Sequence, residues 1–218
     1  MEDRCGPGLY LEMTERPLDT YARDRVPDVL ALPGVTRATW WRNVHRDRED
    51  LPRVLPEFDH LGVYEVDDEF TAPSTPADVA GHHFRRTPRP GQGSLSGRPT
   101  VGLSLVLVSP KEPEGAQALR DWADFVHIRH IAEASVPGFT MITPYERVDG
   151  ESPRYLHLYE LDVEDPEAAF KAMTPSVAER LGGSFGTPAF DAWATDPSLQ
   201  IDYVNTFRLA GSASPPQV

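Results

Sequence analysis

Apolar and polar residues alternate in the segment Gly8 to Met13, GLYLEM, and again in Gly102 to Val108, GLSLVLV, the period expected of strands. Each run is followed by a helix-like segment that stops at Pro-Gly, Pro33-Gly34 in one case and Pro137-Gly138 in the other. Extended segments come next, VTRATWW and FTMITPY, and then a third pair in which the correspondence is closest: Leu61 to Asp67 reads LGVYEVD and Leu156 to Asp162 reads LHLYELD. Thr75-Pro76 and Asp165-Pro166 have the form of helix starts, because proline suits the first helical turn. Each half closes on a Phe-Arg pair, Phe84-Arg85 and Phe207-Arg208.

The order in both halves is therefore β-α-β-β-α-β, the ferredoxin-like arrangement of an antiparallel sheet with its helices on one face. The expected fold class is α+β, with two tandem ferredoxin-like repeats packing sheet to sheet. Residues 1–94 form the first repeat plus linker, and residues 95–218 the second with a frayed tail, GSASPPQV. The linker is the Pro-, Gly- and Ser-rich stretch from Arg86 to Pro99. The first half has shorter helical runs but carries an insertion rich in charge and proline, HRDREDLPRVLPEF, from His45 to Phe58.

Composition narrows the partners. A formal net charge of -13 over 218 residues opposes nucleic acid or an anionic membrane surface as partner. The single cysteine, Cys5, rules out an internal disulfide framework and fits a cytoplasmic setting. Apolar runs such as VGLSLVLV are far too short to span a bilayer.

The helix with a polar residue before VPDVLALPG, the Pro-Gly entry to a strand and the LYELD strand resemble the dimeric α+β barrel superfamily, and within it the EthD-like proteins. The resemblance implies a barrel made by two ferredoxin-like units, here closed within one chain, and leaves room for a homodimer. It also implies a small-molecule pocket between sheet and helices. The superfamily includes cofactor-free monooxygenases, cyclases, isomerases and haem enzymes, so the resemblance does not name a reaction.

Helical spacing places Leu119, Trp122, Val126, His130 and Glu133 on one stripe, with Leu18, Tyr21, Arg25, Val29 and Leu32 as its counterpart. Arg25 then stands roughly where His130 stands. Histidine titrates near neutral pH and arginine does not, so His130 is the candidate general base and Arg25 the candidate anion-stabilising group. The alternatives are a helix-end histidine bonded to a carbonyl and an arginine paired with Asp28. His127 falls off the stripe. In the third strand of the second half, Tyr155, His157, Tyr159 and Leu161 share one face. His157 and Tyr159 join Trp122, Glu133, Tyr21, Trp41 and Tyr145 as candidate substrate-binding residues, which as readily form ordinary aromatic packing. His82 and His83 in GHHFRR point to opposite faces of a strand and make poor joint metal ligands, and no phosphate loop, dinucleotide fingerprint or zinc-helix motif is present.

The expected function is a small-molecule enzyme of aromatic or polyketide-type metabolism. It would be a cofactor-independent oxygenase, cyclase or isomerase with a small apolar or aromatic ligand and no metal. A non-catalytic small-molecule binder and a haem-dependent enzyme are the alternatives.

Overall fold

The alternation becomes strands whose two faces have different partners. In β1 (Gly8–Thr14), Leu9, Leu11 and Met13 enter one apolar cluster and Tyr10 enters another. The remaining strands are β2 (Val35–Asn43), β3 (His60–Val66), β4 (Val79–Arg86), β5 (Gly102–Pro110), β6 (Phe139–Arg147), β7 (Tyr155–Leu161) and β8 (Leu199–Ala213). They close into one antiparallel barrel in the order β1-β3-β2-β8-β5-β7-β6-β4, with β4 returning to β1. The structure, a computed structural model, describes residues 7–46, 48, 51, 53–87 and 100–215. The expected linker from residue 88 to 99, the 94/95 boundary, Cys5 and the last three residues of the tail lie outside the described residues.

The expectation of two tandem ferredoxin-like β-α-β-β-α-β repeats stacked sheet to sheet is corrected on two points. The halves meet edge to edge, β2 on β8 and β4 on β6, so a single closed sheet replaces two facing ones. Closure gives every strand two neighbours, although β4 meets β6 only through Phe84 to Arg86, and turns the interior-facing residues toward a common core. The second helix of the first half does not form. Pro76 instead supports a single turn, Val79 N–H donating to its carbonyl at 3.0 Å, and the chain enters β4 at once. The connection between β3 and β4 also contains Pro73, which further opposes a helix through these residues.

The barrel core is largely apolar, and at one end Met13, Leu55, Phe58 and His82 line a cavity of about 600 Å³. Leu61, Leu105, Leu107, Leu156, Tyr203 and Phe207 are fully buried in the core, and Phe58 stacks on Tyr203 and Phe207 at centroid distances of 4.6 and 5.5 Å. Each such side chain contributes about 1.5–3 kcal/mol by burial.

The helices lie outside the barrel. Over the first half run α1 (Leu18–Thr20), a π-helical turn (Tyr21–Arg25) and α2 (Val26–Leu30). Over the second run α3 (Ala116–Trp122), a π-helical turn (Ala123–Ile128) and α4 (Arg129–Glu133), followed later by α5 (Pro166–Arg180) and α6 (Pro188–Ala194). Gly34 and Gly138, at φ +80° and +86°, make the left-handed step from helix to strand that both Pro-Gly signals marked. Among the described residues no helix is long and apolar enough to cross a membrane.

Candidate functional site

A cavity of about 340 Å³ lies on the outer face of the second half, between β5, β7 and β8 and the helices above them. Its volume falls in the range of small-molecule sites. Trp122, Phe170, Phe190 and Trp193 give it aromatic walls, Val106, Val108 and Val204 an aliphatic floor. The polar groups that reach it are His127, His157, Tyr159, Lys171 and Thr174.

Two capped helices present most of these walls. The Asp165 carboxylate accepts from Ala168 N–H at 3.0 Å and starts α5, which carries Phe170, Lys171 and Thr174. The Thr187 hydroxyl accepts from Phe190 N–H at 3.2 Å and starts α6, which carries Phe190 and Trp193. A third wall crosses from the first half. Leu51, in the charged insertion between β2 and β3, lines the cavity. Nearby Arg48, fully buried, pairs with Glu167 of α5 and lies 4.9 Å from the centre of the Phe170 ring.

His127 owes its place to the π-helical turn. In a regular α-helix, residues five apart are rotated by about 140° from one another. The wider turn brings Trp122 and His127 together instead, with ring centroids 5.0 Å apart. On its other side His127 stacks on Trp193, 5.2 Å between centroids and 5° between planes. The two residues exchange hydrogen bonds: His127 Nδ1–H donates to the Trp193 carbonyl at 3.0 Å, and Trp193 Nε1–H donates to the His127 carbonyl at 3.1 Å. A carbonyl can only accept, so Nδ1 carries the proton and Nε2 keeps its lone pair. Burial, opposed by the bond to Trp193 and reinforced by nearby His130, holds the imidazole below the usual histidine pKa.

His157, on β7 opposite Val106, is buried against the same cavity. Burial first, and then the neighbouring His127, push its pKa down to about 3. Burial raises the Tyr159 phenol well above its ordinary value. Near neutral pH the site therefore offers two uncharged imidazoles and a protonated phenol.

The other sequence candidates lie elsewhere. His130 is outside the cavity lining, part-exposed, with Nδ1 3.8 Å from Glu133. Glu133 takes Arg129 at 2.8 Å and also Arg180, on the surface. Trp41 and Tyr145 belong to the barrel interior. Trp41 Nε1–H donates to Thr39 at 2.9 Å. Arg25 and Tyr21 meet in the first half, around the fully buried carboxylate of Glu12. Arg25 Nη2 reaches Glu12 at 2.5 Å, Tyr21 Oη donates to it at 3.0 Å, and Tyr21 and Tyr64 hydroxyls are 2.8 Å apart. Trp122, His157 and Tyr159 alone of the candidates line the cavity, together with His127, which the α-helical stripe left aside. The missed signal was the spacing of the buried apolar positions, Tyr21-Val26-Val29 and Ala123-Ile128-Ile131, whose first step is five residues in both halves.

Among the described residues no three His, Cys, Asp or Glu side chains gather as a metal set. His82 turns toward Phe84 and His83 toward Phe70.

No family model and no curated protein matches the sequence. Solved structures do match in shape. An anthrone oxidase-like protein aligns at TM-score 0.54 and 13% identity, over 96% of this chain and 93% of its own. A protein from Fusobacterium nucleatum subsp. nucleatum ATCC 25586, assigned as a monooxygenase, aligns at TM-score 0.55 and 6% identity, over 99% and 98% of the two chains. These neighbours have the dimeric α+β barrel fold, and at such identities the likeness is one of fold.

Proposed function

We propose that the protein is a small-molecule enzyme of oxidative metabolism in which His127 takes a proton from a flat, apolar substrate held in the cavity. The observation that carries this reading is the hydrogen bond from His127 Nδ1 to the Trp193 carbonyl, which leaves Nε2 as the acceptor. Aromatic rings on several sides suit a planar ligand, and the lowered pKa keeps the imidazole unprotonated below the usual histidine range. The proton passes from an acidic O–H or C–H of the substrate to Nε2. The electron pair stays on the substrate, and the protonated Tyr159 hydroxyl can donate to the anion that develops. An electron-rich anion of this kind reacts with dioxygen without an added reductant. A CH2 carbon becomes C=O, one oxygen atom stays in the product, the other leaves as water, and the substrate supplies all four electrons. The names of the neighbouring structures and the EthD-like resemblance of the Pro-Gly and LYELD segments support that direction.

The test is oxygen uptake and product mass spectrometry with a panel of hydroxylated polycyclic aromatics. Turnover by the wild-type chain should fall about a hundredfold or more in His127→Gln. It should persist in His130→Ala, and it should decline only below about pH 6.5, the ordinary histidine value, because His127 titrates lower. A His127→Gln chain as active as wild type contradicts the proposal. Binding without turnover in the wild-type chain would make the protein a carrier instead.

A further inference from the structure

Among the described residues that line the cavity, Lys171 is the one with a formal charge. Its ammonium lies 3.3 Å from Glu167 Oε1, but that carboxylate is shared: its other oxygen takes Arg48 Nη2 and the Thr206 hydroxyl. Lys171 is thus only partly satisfied by its partner, and its side chain, 61% exposed, stands at the entrance with room to meet another anion. Behind it the surroundings change abruptly, to aromatic rings and two neutral imidazoles. A second charge on a ligand would have no counter-ion in those walls and would lose its hydration there. The formal net charge of -13 repels anions at a distance, so an anionic ligand has to be recognised by a local cation.

Resting on the reading of this cavity as the ligand site, we propose that its ligand is a flat apolar molecule bearing a single anionic group, a carboxylate or its equivalent, with Lys171 as counter-ion at the entrance. The apolar body then faces His127 and His157 while the charge remains near water, as long amphipathic groups prefer.

The experiment uses two fluorescent probes of the same shape on the full chain, anilinonaphthalene sulfonate, which is anionic, and N-phenylnaphthylamine, which is neutral. Each should displace the other. Lys171→Met should weaken the sulfonate about fivefold or more, the scale of a part-exposed ion pair. It should leave the neutral probe unchanged, and Lys171→Arg should restore most of the loss. Equal behaviour of both probes in wild type and Lys171→Met overturns the assignment of the anion while the cavity stands. Failure of the neutral probe to bind the wild-type chain removes the cavity reading itself, and the proposal with it.

Discussion

The outer faces of the two barrel halves invite comparison position by position, because the strand registers match. Tyr10 lies opposite Tyr64 and Glu12 opposite Gly62 in the first half, where Ser104 lies opposite Tyr159 and Val106 opposite His157 in the second. Tyr21 and Ala123 each open a π-helical turn, and Arg25 and His127 each immediately precede the next buried apolar residue, Val26 or Ile128. In the first half the space between sheet and helix is filled. The Tyr21 hydroxyl sits over Gly62, so close that a Cβ there would be 1.9 Å from it. Tyr10, Tyr21 and Arg25 then converge on Glu12, and Tyr64 joins them through the Tyr21 hydroxyl. In the second half Tyr10, Glu12 and Tyr21 give way to Ser104, Val106 and Ala123, and the strand supplies His157 where the first half has glycine. The same framework encloses a polar network in one half and, by shortening three side chains, a cavity with two imidazoles in the other.

The largest effect should come from breaking the filled half. Glu12→Val copies the residue of the open half but leaves Arg25 part-buried without its carboxylate and the tyrosine hydroxyls without an acceptor. A loss of about 3–5 kcal/mol in urea unfolding is expected, the range for removing one partner of a buried pair. A neutral result would mean the network does not hold this half together.

A smaller effect should distinguish the open half through pH. The folded His157 pKa is about 3, below the ordinary unfolded value of about 6.5, so the unfolded chain takes the proton first. Stability is then intact above pH 6.5 and falls as the pH drops toward 3, by about 2 kcal/mol at pH 5 on this group's account. The difference in unfolding free energy between wild type and His157→Gln, followed from pH 7 to 5, should show that slope. Parallel curves would place His157 in water.

The smallest change in stability, with the clearest change in binding, should follow from moving the filling across. Ala123→Tyr combined with His157→Gly rebuilds the Tyr21-over-Gly62 pair in the second half. It should obstruct the cavity, without filling it, and weaken both naphthalene probes at a cost of about 1.5 kcal/mol or less, as for a swap that roughly keeps volume. Undiminished probe binding would show that the probes sit elsewhere.

How much of this could be read beforehand depended on which regularity each element obeyed. The alternation in LHLYELD correctly put Tyr155, His157 and Tyr159 on one face, because a period of two survives any sheet curvature. It could not say which face, since leucines and tyrosines alike are buried by one layer or another. The stripe through Trp122, His130 and Glu133 assumed 3.6 residues per turn and failed at the π-helical turn, which carried His130 outward and His127 to the cavity. Thr75-Pro76 had the form of a helix start, yet proline opens turns as readily, and Val79 begins a strand only three residues on. The edge-to-edge joins rest on backbone hydrogen bonds, which leave little mark in the side chains. Nothing in the charged insertion suggested that Arg48 would be buried against α5 and bring Leu51 to the other half's cavity.

Whether the second half alone holds an open site is decided by a crystal structure of the chain with neutral N-phenylnaphthylamine bound. One probe per chain is expected, lying among Trp122, His127 and Trp193, with the space over Gly62 still occupied by Tyr21. A probe bound over Gly62, or within the barrel interior, would contradict that expectation.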